Sequence, residues 1–169
     1  MTLHTLHTNQ DLDPPRLRKV FGVFPTGVVA VAAHVDGTSV GLAASSFTSV
    51  SLDPPLVSFS VGNTLKTWPE LRRAEHLGVT VLAHHHDAAC QQLAGPVENR
   101  FDGLPVTTSA DGAVTLDDGL ARFDCTIHDE VRAGDHVIVI LRVHAVEHTD
   151  TSPPLVFHRS GFGSISRSA

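Results

Sequence analysis

The chain has 169 residues, of which 41% are hydrophobic and 18% charged, and this size and composition suit one globular domain with a buried core. Its formal net charge is -6 with only 12 lysines and arginines, which argues against nucleic-acid binding through a basic face. The longest run of valine, isoleucine and leucine, residues 137–141, is far shorter than the ~20 residues that cross a bilayer, so we expect no membrane anchor.

The N-terminal segment predicts a tail followed by a short helix. Residues 1–12 are mostly polar and lack periodicity, which predicts a flexible tail ahead of a single domain over 13–169. Asp13 precedes two prolines, and this order is typical of a helix start with aspartate as the N-cap and proline in the first turn. The sequence therefore predicts a helix over 16–23.

Four short strands are predicted next, over 27–35, 38–42, 45–51 and 56–61. Asp36 and Gly37 form a two-residue hairpin signal, because both residue types tolerate a positive φ. The Asp53-Pro54-Pro55 triplet predicts a turn, because proline cannot donate to a strand ladder. Four antiparallel strands within about 35 residues favour a barrel or a sandwich.

The second half of the chain mixes short helices with longer strands. Thr67 and Glu70 have the spacing of a capping box, which predicts a helix from there to residue 74, and residues 87–94 also fit a helix. A loop region with a short hairpin near Asp111 is predicted over 95–119. The remaining strands are predicted over 78–83, 120–129, 135–147, 155–158 and 161–165. The fold class is therefore mainly β with short helices.

Cysteine and histidine usage bears on compartment and metal binding. Cys90 and Cys125 are too few and too far apart for a disulfide framework, and no secretory signal is evident, so the sequence predicts a cytoplasmic protein. The 12 histidines include three in succession at His84–His86. Successive side chains point to different sides of a strand or helix and rarely converge on one ion, so we expect no metal site.

Small and hydroxyl-bearing residues are concentrated between residues 24 and 55. Glycine and alanine let a flat ring approach the backbone, and hydroxyl groups offer neutral donors to ring heteroatoms and phosphate oxygens. The hydroxyl-bearing candidates are Thr26, Ser45, Ser46, Thr48, Ser49 and Ser51. The pattern indicates a groove for a nucleotide-like cofactor, although a half-exposed strand also alternates serine with apolar residues.

Five short motifs follow one another along the chain: FPTGV, ASSFTSVSLDPPLV, VTVL, GDH and PPLVFHRSGFG. In this order the chain resembles the short flavin reductases of the FMN-binding split-barrel family, the NAD(P)H-dependent reductase components of two-component flavin monooxygenases. The resemblance extends from about residue 20 to residue 165. It implies a split β-barrel, a homodimer, FMN or FAD together with NADH or NADPH, and delivery of reduced flavin to a partner monooxygenase.

The resemblance also implies which residues hold the flavin. The ring would lie against Ala44, Ser45, Ser46 and Phe47, with Thr26 nearby. The phosphate would lie near Asn63, Thr64, Lys66 and Thr67, with Arg100 and Phe101 assisting, because a helix start presents free N–H groups to an anion. For Lys66 and Arg100, a solvated surface charge is an equally good interpretation.

Three further residues are assigned to the nicotinamide side or the end of the chain. By resemblance, His136 of the GDH triplet orients the nicotinamide, since hydride transfer mainly requires two stacked rings at near-attack distance. Arg159 would clamp a cofactor phosphate or carboxamide, with Phe162 where relatives often have tyrosine. For Arg159 and Phe162, the alternative is a C-terminal strand that merely closes the barrel, and for His136 it is an ordinary surface residue after a turn.

Other function classes remain as alternatives. A flavin-binding protein without turnover would share the barrel, and a haem-handling split-barrel protein would draw superficial support from the many histidines. The G-x-S-x-G match at residues 37–41 lies in the predicted hairpin and not between a strand and a helix, so it is no nucleophile elbow and does not support a serine hydrolase. No G-x-G-x-x-G supports a Rossmann dinucleotide site.

Overall fold

The computed structural model describes residues 12–165, which are mainly β with short helices. In chain order the elements are α1 (Pro14–Phe21), β1 (Thr26–Gly27), β2 (Val29–Val35), β3 (Thr38–Ala44), β4 (Thr48–Leu52), β5 (Pro55–Gly62), α2 (Trp68–Leu71), β6 (Leu77–Val81), α3 (Asp87–Leu93), β7 (Val106–Thr108), β8 (Val114–Leu116), β9 (Ala121–Ala133), β10 (His136–His148), β11 (Leu155–His158) and β12 (Gly161–Ser164). None of the helices between residues 12 and 165 has the length and hydropathy of a membrane span.

The main sheet has seven strands in the order β3-β2-β6-β9-β10-β5-β4, and all neighbours are antiparallel. Its two edge strands, β3 and β4, are consecutive in the chain and joined only by residues 45–47. A flat sheet of this size would separate its edges by roughly 29 Å, whereas the connection reaches at most ~14 Å. The sheet therefore curls into a barrel that stays open between its edges, and the predicted split β-barrel is confirmed. We call this opening the seam.

The core lies on both faces of β2. Alternate side chains of β2 point to opposite faces, so Val29 and Val31 join the main cluster inside the barrel with Phe59, while Ala30 joins a second cluster beneath α3 with Leu93. Burial on both faces explains why this strand is a continuous apolar run.

Several local predictions are confirmed. Asp13 accepts a hydrogen bond from the backbone N–H of Arg16 at 2.8 Å and so caps α1. Asp36 and Gly37 adopt φ of 50° and 87°, as expected for a two-residue hairpin turn between β2 and β3. Paired strands β7 and β8 form the predicted hairpin near Asp111.

Other predictions need correction. The strand expected over 45–51 begins only at Thr48, because β3 extends to Ala44 and the chain must then cross the seam. The capping box at Thr67 does not form, since its side-chain oxygen accepts a hydrogen bond from Arg100 instead, and α2 ends at Leu71 rather than at residue 74. The predicted tail over 1–12 lies outside the described residues except for Leu12.

Candidate functional site

A groove of about 300 Å³ lies along the seam, where the end of β3 faces the end of β5 and the start of β10. We call it the seam groove, and its lining includes Ala44, Ser45, Ser46, Ser60, Gly62 and His136. A second hollow of about 230 Å³, the aromatic pocket, adjoins it and is lined by Ala43, Ala44, Ser45, Cys90, Phe157 and Phe162 among others. Ser45 lines both hollows, and we call the two hollows together the site.

The two serines of the connection differ in what their hydroxyl groups do. The hydroxyl of Ser46 accepts from the backbone N–H of Ser60 at 2.8 Å and donates to the carbonyl of Ser60 at 3.3 Å, which ties the connection to β5. The hydroxyl of Ser45 makes no hydrogen bond within residues 12–165 and is exposed in the groove. Ser45 is therefore the serine whose hydroxyl is available to a ligand.

The backbone of the connection also presents unused donors. Across the described chain, no hydrogen bond satisfies the N–H groups of Ser45, Ser46 or Phe47, which lie beyond the last ladder pair of β3 at Ala44. Unpaired N–H groups at an accessible groove favour a ligand that carries acceptor atoms along one edge.

His136 is held at the rim of the groove by its neighbour. Its Nδ1 lies 2.7 Å from Oδ1 of Asp135, and this hydrogen bond lowers the pKa of the Asp135 carboxyl. The other ring nitrogen, Nε2, faces Gly62, where an added Cβ would lie 3.8 Å from it. Asp135 was not among the predicted site residues, although a carboxylate next to histidine is a recognisable signal.

The turn that carries His136 is fixed to the neighbouring strand end. Gly134 adopts φ of 64° between β9 and β10. Asn63 donates its side-chain amide to the carbonyl of Gly134 at 3.3 Å, and its backbone N–H to the carbonyl of Asp135 at 2.9 Å. Asn63 therefore positions this turn, in addition to its predicted place near a phosphate.

The predicted phosphate residues separate into two groups. Thr64 and Lys66 are exposed in the connection between β5 and α2. Thr67 and Arg100, by contrast, are only 2% and 8% exposed. Arg100 donates to the carbonyls of Gly41 and Gly95 and to Thr67, so this pair ties α2 to β3, and its direct contact with a phosphate stays a prediction.

Phe101, Phe47 and Ser51 lie outside both hollows. Phe101 packs so closely on Gly41 that a Cβ there would lie 2.6 Å from the ring, which explains glycine at that position. Phe47 packs on Phe123 with ring centroids 5.9 Å apart. Ser51 is half-buried on β4. Their direct contact with a cofactor stays a prediction.

The remaining predicted residues belong to the small sheet of β1, β11 and β12. The hydroxyl oxygen of Thr26 is buried and has no hydrogen-bond partner within the described range. Phe162 lies 5.6 Å from Phe157, ring centroid to ring centroid, at the aromatic pocket. Arg159 lies in the turn between β11 and β12 and is exposed.

With this geometry established, comparison with known proteins identifies the family. The model of the flavin reductase-like domain family matches residues 21–166. This chain belongs to that family. The resemblance stated from the five motifs is thereby confirmed, together with the enzyme class, an oxidoreductase that acts on flavin.

Individual relatives of this flavin reductase-like protein agree. A flavin reductase of Pseudomonas putida is 38% identical over 156 residues, covering 92% of each chain. The reductase subunit HsaB of a flavin-dependent monooxygenase from Rhodococcus jostii is 34% identical over 91% of this chain and 79% of its own length. The NADH:FAD oxidoreductase SgcE6 of Streptomyces globisporus, solved in complex with NAD and FAD fragments, superposes with a TM-score of 0.88 at 30% identity, over 98% and 99% of the two chains.

The residues of this flavin reductase-like protein fit a flavin. The floor of the site is built from alanine and serine, which leave room for a flat ring, and Phe157 and Phe162 form an apolar wall. The free N–H groups of Ser45 and Ser46 and the hydroxyl of Ser45 match a ring edge that carries acceptor atoms. No group of three or more metal-ligating side chains occurs between residues 12 and 165.

Proposed function

We propose that this protein transfers hydride from NADH or NADPH to FMN or FAD in the seam groove and passes the reduced flavin to a separate monooxygenase. The observation that carries the proposal is the pair of unused N–H groups at Ser45 and Ser46, which line the same groove as the fixed imidazole of His136. The names of the relatives, a flavin reductase and the reductase subunit of a monooxygenase, support the same activity.

Each part of the site has a separate task. A bound flavin supplies the ring that accepts hydride. The N–H groups of Ser45 and Ser46 hold the edge of that ring and stabilise negative charge on it, because they are fixed before the reaction begins. His136, held by Asp135, orients the nicotinamide, since the transfer depends on stacking and distance more than on a proton donor.

The activity is tested with purified protein, NADH or NADPH, and FMN or FAD. We expect oxidation of the nicotinamide, followed by its absorbance, at a rate far above that of the flavin alone. Adding a purified flavin-dependent monooxygenase and following its hydroxylated product tests the transfer of reduced flavin. A rate equal to that of the protein-free blank with every cofactor pair would refute the proposal.

Replacing His136 with alanine distinguishes a reductase from a flavin-binding protein without turnover. We expect kcat/KM for NADH to fall roughly tenfold or more, because the nicotinamide loses its positioning contact. Flavin affinity, measured by fluorescence titration, should stay within about twofold. His128→Ala is the matched control, an exposed histidine on β9. Unchanged kinetics in His136→Ala would remove His136 from the site.

We also infer that the protein is a homodimer. Several large apolar side chains near the end of α1 are exposed, including Phe21 at 67% and Phe24 at 75%, and a symmetric partner would cover them. Light scattering should give a mass of twice the 18.0 kDa of the chain, and a monomeric mass at micromolar concentration would contradict the inference. A cytoplasmic location, tested by cell fractionation, is consistent with the two free, buried cysteines.

A further inference from the structure

A cleft of about 600 Å³ lies where the end of α1 meets the turn between β11 and β12. Three of its lining side chains are cationic, Arg18 and Lys19 from α1 and Arg159 from the turn, and Ser160 adds a hydroxyl group. No carboxylate lines it. We call it the cationic cleft. In a chain with net charge -6, this concentration of positive charge is a local feature that favours an anion.

Within residues 12–165, the three cations have no competing ion pair. Among the described residues, none of them has a carboxylate oxygen within 4.0 Å, unlike Arg72, Arg73 and Arg122. The helix dipole explains why Arg18 and Lys19 lie in the last turn of α1. It does not explain why Arg159, from the turn between β11 and β12, lines the same cleft.

The turn between β11 and β12 has an unusual combination of backbone conformation and residue type. Arg159 and Ser160 adopt φ of 49° and 64°, a left-handed conformation that glycine would adopt without cost. The backbone N–H of Arg159 donates to the carbonyl of Gly22 at 2.8 Å, which fixes the turn against the end of α1. A two-residue hairpin turn requires a positive φ at both positions, and glycine or asparagine is the usual choice there, so arginine and serine are unusual residues for this turn.

The cationic cleft borders the proposed flavin site. Phe157 and Phe162 of the aromatic pocket are paired across the same hairpin, and Arg159 follows two residues after Phe157. At ~3.3 Å per residue, its backbone lies within about 7 Å of that pair. On the other side, the pKa of Asp135 is lowered first by its bond to His136 and also by the charge of Arg18.

We propose that the cationic cleft binds a phosphate group of a dinucleotide whose reactive ring lies in the seam groove. The inference rests on the proposed function and adds Arg18, Lys19 and Ser160 to the site. The shared chemistry is a phosphate ester, and its source is either the pyrophosphate of FAD or a phosphate of NADH or NADPH. Arginine and lysine side chains bind such groups through charge-assisted hydrogen bonds.

The test compares Arg18→Gln, Arg159→Gln and the double variant with wild type at low salt. Binding is followed directly, by fluorescence titration with FMN, FAD, NADH and NADPH, so the result does not depend on turnover. If FAD is the source, its Kd should rise roughly tenfold in each single variant, while that of FMN changes little. If the nicotinamide nucleotide is the source, its Kd should rise by a similar factor and both flavins should bind as before.

Arg132→Gln removes the same charge from an exposed position on β9 and should leave every affinity within about twofold. Arg18 is exposed on α1, so Arg18→Gln still tests the proposal if Arg159→Gln disturbs the turn. Unchanged affinity for all four ligands in the double variant would overturn the proposal. A wild type that binds dinucleotides but lacks turnover would instead contradict the proposed function.

Discussion

Replacing Ser45 with tryptophan is expected to abolish flavin binding and, with it, flavin-dependent oxidation of NADH. Ser45 is exposed and lines both the seam groove and the aromatic pocket, so an indole ring at this position would occupy the space of the flavin ring. We expect the Kd for FMN and FAD to rise at least roughly a hundredfold, which corresponds to about 2.7 kcal/mol. Quenching of flavin fluorescence on titration with protein measures the effect.

The control for this variant is Ser49→Trp. Ser49 is also exposed, but it lies on β4 and does not line either hollow. Both variants should unfold at urea concentrations close to that of wild type, because neither side chain enters the core. If Ser45→Trp binds flavin as tightly as Ser49→Trp does, the flavin is bound elsewhere.

Replacing Gly78 with alanine is expected to lower the free energy of unfolding by about 3 kcal/mol or more. Gly78 lies in β6 between β2 and β9, and an added Cβ would lie 2.0 Å from the carbonyl oxygen of Val114. The neighbouring atoms are backbone, which cannot rotate away as a side chain would. β8 is further held by a hydrogen bond of 3.0 Å from the N–H of Leu116 to Thr80. Urea denaturation measures the loss.

Gly27→Ala provides the comparison for Gly78→Ala. Gly27 is exposed on β1, and nothing lies within 4 Å of an added Cβ. Its replacement should change stability by no more than about 0.5 kcal/mol. Equal stability of the two variants would show that β8 moves freely against β6, contrary to the close packing described above.

Features that depend on neighbouring residues were predictable from the sequence. The cap at Asp13 and the turn at Asp36-Gly37 depend on the dihedral preferences and hydrogen bonds of residues within about four positions. The motif order was sufficient for the family and the split barrel, while the site around Ser45 and His136 stays a prediction. A sequence pattern could equally have indicated Asp135, since it adjoins His136.

Features that join distant segments were not predictable in the same way. Thr67 was expected to cap its own helix, but its hydroxyl instead accepts from Arg100, 33 positions away. Ser46 was expected to contact the ring, and its hydroxyl group hydrogen-bonds to the backbone of Ser60 across the seam. In both cases a long-range partner competes with a local one, and the spacing of residues does not reveal that partner.

The sequence by itself determined the class of fold, the family and the stretch of chain that forms the site, because these depend on local propensities and on motif order. Only the tertiary structure decided which side chains line the two hollows. The curl of the sheet brings its two edges together at residues 45–47, leaves the Ser45 hydroxyl unused, and places Arg18 opposite Arg159. These juxtapositions arise from strand order and packing, which join residues that are far apart in the chain.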